Sequence, residues 1–203
     1  MYKFLTLSLC LVLTACASNP KTSYQDDVKS GKTPLAKSPL EAIHNTQAIP
    51  LPINQESLAP NWPITANEPR LDFGSSISNY RVFSLNLKKG ERYQLNIHSN
   101  CNDGCLGVSK YAIKPRVLVL DAYGTIIADK PSNVSILPEK INMNWQGEAS
   151  EDGTYYVLVA ADNDAPGQTI VLNDVWVTNS PLMGVKTSMY SSPFGTISAS
   201  GKR

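Results

Sequence analysis

The chain has 203 residues, enough for one sizeable domain, and 42% of them are hydrophobic. Its 18 basic and 17 acidic residues leave a net charge of +1 without any block of like charge, which argues against nucleic acid and acidic polymers as partners. After residue 16 no apolar run is long enough to span a bilayer as a helix.

The first element is Lys3 followed by an uncharged run from Phe4 to Ala15. That run has the length of a signal-peptide h-region and is too short for a membrane span. It ends in Leu13-Thr14-Ala15-Cys16, which resembles the lipobox of bacterial lipoproteins. The resemblance implies that residues 1–15 are removed, that Cys16 carries diacylglycerol on its sulfur, and that its new amine is acylated with a chain such as palmitate. A plain secretory signal cut near Ala15 is the alternative. Two or three acyl chains, at about 0.8 kcal/mol per buried methylene, hold a protein stably on a membrane. Residue 17 is Ala, whereas Asp in that place commonly retains lipoproteins at the inner membrane. The expected location is therefore the outer membrane, with the domain facing the periplasm.

Residues 16–38 are rich in Ser, Thr, Lys and Asp and poor in apolar side chains. They predict a flexible tether, whose roughly 22 residues reach about 25 Å as a random coil. Residues 39–69 predict a Pro-rich extended arm laid across the domain. Eight of the 14 prolines fall between Ala17 and Pro69, where they disfavour long helices and central strands. Pro39-Leu40-Glu41-Ala42-Ile43 is suited to open a short helix with Pro39 in its first turn.

From residue 70 the pattern is that of short strands. Phe83, Leu85 and Leu87 alternate with polar residues, Lys88-Lys89-Gly90-Glu91 turns the chain, and Tyr93, Leu95 and Ile97 resume the alternation, which predicts a hairpin. The unbroken apolar centre of Pro115–Asp121 predicts a strand buried on both faces. Further strands are expected at Thr125–Ala128, around Ile141, Met143 and Trp145, at Thr154–Val159, at Thr169–Val177 and at Gly195–Ala199. With no helix of any length, this predicts an all-β fold over residues 70–203: a β-sandwich or jelly-roll-like domain of about seven or eight strands after the Pro-rich arm.

Little in the chain points to catalysis. His44 and His98 stand in no nucleophile–base or metal-ligand spacing, and there is no phosphate loop or nucleophile elbow. The expectation is a protein that is not an enzyme and holds no cofactor and no metal. Cys101 and Cys105 bracket Asn102-Asp103-Gly104 and, in an oxidising envelope, are expected to form a small disulfide loop. A metal site from His98, Cys101 and Cys105 would lack a fourth ligand. Asp162-Asn163-Asp164 offers oxygen ligands to Ca²⁺, but the same run before Pro166-Gly167 reads first as a turn. Trp145, Tyr155 and Trp176 are candidate ligand-contact rings, with core packing as the default for each.

Pro115-Arg116-Val117-Leu118-Val119-Leu120-Asp121, then Tyr155-Tyr156-Val157-Leu158-Val159, then a polar loop and Thr169-Ile170-Val171-Leu172 resemble the MalM family in order and type. Members of that family are periplasmic proteins encoded with maltose transport systems. Similar strand patterns occur in the β-sandwich domains of the pre-peptidase C-terminal type, appended to secreted peptidases. The MalM resemblance implies a non-enzymatic envelope protein associated with maltose or maltodextrin uptake, and carries no catalytic or sugar-binding residues with it. Two differences stand beside it: the lipoprotein-like signal, and the lack of an Ala/Pro-rich linker and a C-terminal extension.

The leading expectation is a lipid-anchored periplasmic accessory protein supporting carbohydrate transport through a protein partner in the envelope. The alternatives are a glycan- or peptidoglycan-binding module, for which the partner is a carbohydrate, and a structural subunit of an outer-membrane assembly.

Overall fold

Alternation of apolar and polar residues produces strands wherever the sequence predicts them among the described residues, and several more besides. The computed structural model describes residues 19–54, 59–102, 110–121, 123–137, 140–170 and 189–203. The signal peptide, Cys16, Cys105, Trp176 and most of the strand expected over Thr169–Val177 lie outside them.

In chain order the strands are β1 (Leu35–Ala36), β2 (Ile49–Pro50), β3 (Asn61–Ile64), β4 (Arg70–Asp72), β5 (Ile77–Leu87), β6 (Arg92–Asn100) and β7 (Lys110–Ala112). They continue with β8 (Pro115–Leu120), β9 (Ile126–Ala128), β10 (Asn133–Leu137), β11 (Lys140–Glu148), β12 (Gly153–Ala161), β13 (Met189–Ser191) and β14 (Gly195–Lys202). Two short α-helices, α1 (Pro20–Ser23) and α2 (Pro39–His44), precede the main strands, and α1 runs on as a π-helix over Tyr24–Lys29. The fold is an all-β sandwich. Sheet I has seven strands in the order β1-β4-β5-β12-β8-β9, with β2 also paired to β5. Sheet II has five, in the order β10-β11-β6-β14-β3.

Between the sheets lies the main core. Phe83, Val117, Val119, Val157 and Val159 of sheet I meet Leu95, Ile97, Ile141, Trp145 and Ile197 of sheet II. Each such side chain, fully buried, contributes about 1.5–3 kcal/mol. Trp62 of β3 and Phe83 of β5 meet edge to face across the sheets, their ring centroids 4.9 Å apart.

A second core lies on the other side of sheet I. Strand β8 points Val117 and Val119 into the sandwich and Leu118 and Leu120 outward, where Tyr80, Leu158 and Ala160 join them. The double-sided burial expected for Pro115–Asp121 is thus present. What covers the outer face is the N-terminal part of the chain: Ala36 of β1 and Ala42 and Ile43 of α2. Helix α2 starts as its sequence predicts, with Ser38 Oγ accepting from Glu41 N and Pro39 in the first turn. Tyr80 Oη anchors its far end by donating to Ala42 O at 3.1 Å.

The Pro-rich arm then crosses from one sheet to the other. It pairs with β5 through β2, bridges Gly201 through Ile53, and pairs with β14 through β3. Pro63 is accommodated because β3 is an edge strand, where a missing donor costs little. The arm packs closely over Gly201, where an added Cβ would lie 2.6 Å from Ile53 Cδ1 and push that side chain aside. The arm is therefore part of the sandwich, and the strands begin well before residue 70.

Residues 19–38 depart most from expectation. In place of a flexible tether, they form α1, the π-helical turn and β1, which pairs parallel to β4. Val28 is fully buried. The cause is Arg70, itself 7% exposed. Its guanidinium donates to Val28 O at 2.9 Å and to Thr33 O at 2.7 and 3.2 Å, with a longer contact to Lys29 O at 3.3 Å. Its backbone N donates to Pro34 O at 2.8 Å. A polar composition did not leave this stretch loose, because its carbonyls rather than its side chains are what the domain holds.

Replacing Arg70 by Met keeps the aliphatic stem but leaves those carbonyls without their donor. We expect Arg70→Met to lose about 2–4 kcal/mol of stability and to open tryptic cleavage after Lys29 and Lys32. Unchanged stability and unchanged cleavage would contradict the clamp.

Candidate functional site

The two outer faces of the sandwich differ in what they meet. The N-terminal chain packs on the outer face of sheet I, whereas the outward residues of β6 and β11 on sheet II are polar and at least partly exposed, and Ser198 of β14 on the same face is 7% exposed. Alternation on β6 sends Tyr93, Leu95, Ile97 and Ser99 inward, which leaves Gln94, Asn96, His98 and Asn100 outward. On β11 it sends Ile141, Met143 and Trp145 inward and Asn142, Asn144 and Gln146 outward.

Strand register assembles these residues into rows. One row runs Asn133, Asn144, Asn96, Ser200 across β10, β11, β6 and β14. The next runs Ser135, Asn142, His98, Ser198, Asn61 across all five strands. Charged side chains stand beyond these rows: Lys140 towards one end, and Lys202, Arg92 and Glu148 towards the other.

The amides hold one another. Asn142 Oδ1 accepts from His98 Nδ1, and Asn142 Nδ2 donates to Ser135 Oγ at 3.2 Å. Gln94 Nε2 donates to Asn96 Oδ1 at 3.3 Å, and Asn100 Nδ2 to Asn61 Oδ1 at 3.1 Å. Because a carbonyl oxygen only accepts, His98 carries its proton on Nδ1 and presents Nε2 as an acceptor. Burial pushes its pKa below the ordinary 6.5; the bond to Asn142 opposes this and the charge of Lys140 adds to it. His98 is therefore neutral at pH 7, and both central rows are uncharged. Beside them lies a groove of about 390 Å³, lined by Arg92, Gln94, Gln146, Lys202 and Arg203 among others.

The residues singled out from sequence fall elsewhere. Trp145 and Tyr155 are 2% and 1% exposed in the main core, so neither ring is open to a ligand. Both sit at inward positions of their strands, the phase that buries a side chain. Cys101 is half-buried beside the sheet, forming a bridge with Ala112; Trp176, Cys105 and Cys16 are outside the described residues.

Asp162-Asn163-Asp164 is a turn, with Asp164 N donating to Asp162 Oδ1. Its carboxylates already have cationic partners: Lys114 Nζ lies 2.7 Å from Asp162 Oδ2 and Arg116 Nη2 lies 2.8 Å from Asp164 Oδ2. Partial burial pushes the Asp164 carboxyl up, but the hydroxyls of Ser76 and Ser75 and the guanidinium of Arg116 bring it below its ordinary value. A Ca²⁺ ion would have to displace both cations. Among the described residues no group of three or more His, Cys, Asp or Glu side chains is placed to hold a metal ion.

No family model matches the chain, and no curated protein matches it. Among solved structures, the pre-peptidase C-terminal domain of a collagenase from Bacillus anthracis aligns with 77% of this chain and 100% of its own length, at 12% identity and a TM-score of 0.33. A likeness that low carries no argument about either fold or function.

His98 gives the face a pH signature. With its folded pKa below 6.5, the unfolded chain binds the proton more readily, so stability falls as pH drops through 6.5 and levels off below the folded value. Thermal melts between about pH 7 and pH 5 should show a smaller loss for His98→Gln than for the wild type. An equal loss in both would contradict a half-buried neutral imidazole.

Proposed function

We propose that this chain is a non-enzymatic, lipid-anchored envelope protein, attached to the outer membrane through Cys16 and facing the periplasm, whose open face on sheet II is its working surface. The observation that carries this reading is the asymmetry of the sandwich. One outer face is covered by the chain's own N-terminal segment, and the other is an uncharged amide field. An uncharged field of amides with a single neutral imidazole suits recognition better than bond cleavage, since it contains no activated nucleophile.

The order of strands that resembles the MalM family supports carbohydrate uptake, of maltodextrins in particular, as the setting. A Cys101–Cys105 disulfide suits the same compartment. The fold of the N-terminal segment bears on the reach of such an anchor. Helix α1 begins at Pro20, four positions after Cys16. Four extended residues reach at most about 14 Å, against about 25 Å for the tether expected from composition. With Cys16 lipidated, so short a link would hold α1 close to the membrane surface.

Two experiments test the reading. Cys16→Ser should abolish palmitate labelling and leave the precursor largely uncleaved; normal labelling of that variant would refute the anchor. Deletion of the gene should impair growth on maltodextrin as sole carbon source, and unimpaired growth would remove carbohydrate uptake as the setting.

A further inference from the structure

We propose that the open face of sheet II binds a linear, uncharged glycan, laid on its two central rows from Asn133 to Ser200 and from Ser135 to Asn61. The inference rests on reading that face as the working surface, and adds what occupies it.

The chemistry of the rows selects the occupant. A sugar hydroxyl both donates and accepts, and each Asn offers an acceptor oxygen beside a donor nitrogen, so one amide can engage neighbouring hydroxyls or an N-acetyl group. The rows carry no ionised side chain, and of the cations around them Arg92 is paired with Glu148 and Arg203 with Glu91, so the rows themselves offer a charged polymer no counter-charge. A protein partner would call for exposed aromatic or Arg anchors in the centre of the patch, and no such residue occupies either row. Strand addition is closed to the middle of the sheet, because β11, β6 and β14 each have a neighbour on both sides.

Geometry agrees with the chemistry. Strands lie about 4.8 Å apart, close to the length of one sugar ring, so successive sugars of an extended, β-linked chain can meet successive strands, while a curved α-glucan would meet fewer of them. The five-strand row through His98 spans about 19 Å. Lateral bonds from His98 to Asn142 and from Asn142 to Ser135 hold the side chains in place before any ligand arrives, which lowers the entropic cost of binding.

The test titrates mature, lipidated protein in detergent with maltoheptaose and, separately, with chitopentaose. Maltoheptaose represents α-glucans, and chitopentaose the N-acetylated backbone of the cell wall. Binding of at least one is expected, with the dissociation constant raised about tenfold in Asn96→Ala and in Asn142→Ala. Melting curves verify that both variants fold, and Thr22→Ala, off the face, should bind as the wild type does. No heat with either glycan at millimolar concentration, or equal binding by the variants, would overturn the proposal. A photo-crosslinking residue at position 96, used in cells, separates the two levels of the argument. A protein adduct there without glycan binding overturns the glycan and keeps the face; no adduct and no glycan binding overturns both.

Discussion

The guanidinium of Arg70 holds the arrangement on which the rest of the molecule depends. It is buried, with no carboxylate partner among the described residues, and is satisfied by carbonyls of residues 28, 29 and 33, a set that only a planar, multi-donor fork can reach together. Removing such a charge from water is costly, and backbone dipoles offset that cost only while the N-terminal segment stays wrapped around it. The segment in turn delivers Ala36, Ala42 and Ile43 to the outer face of sheet I. Without that cover, Leu118, Leu120, Leu158 and Tyr80 would stand in water.

From this constraint follows the division of labour between the faces. Over β5, β8 and β12, sheet I is packed on both sides, whereas sheet II packs on one. There the inward positions supply Leu95, Ile97, Ile141 and Trp145 to the core, while the outward positions are filled with amides.

Much of the sandwich was legible in the residue pattern. Phe83, Leu85 and Leu87 on β5, and Tyr93, Leu95 and Ile97 on β6, alternate as half-buried strands do, and the continuous run in β8 revealed burial on both faces. The phase of Ile141, Met143 and Trp145 also marks Trp145 as inward, so its place in the core was readable. The folding of residues 19–38 was not. Its acceptors are main-chain carbonyls that leave no side-chain signature, and Val28, Leu35 and Ala36 are too few to mark a packed segment. The amide face was present as Gln94, Asn96 and Asn100 of β6 and Asn142, Asn144 and Gln146 of β11, but only strand register shows that these residues line up across the sheet.

The central claim is that the N-terminal segment is part of the folded sandwich. Native-state hydrogen exchange on the mature chain tests it most directly. The account predicts that the amides of Val28, Ala36 and Arg70 exchange only through openings as rare as those exposing Phe83 in β5. Exchange of Val28 and Ala36 at the rate of an unstructured peptide, with Phe83 still protected, would contradict it.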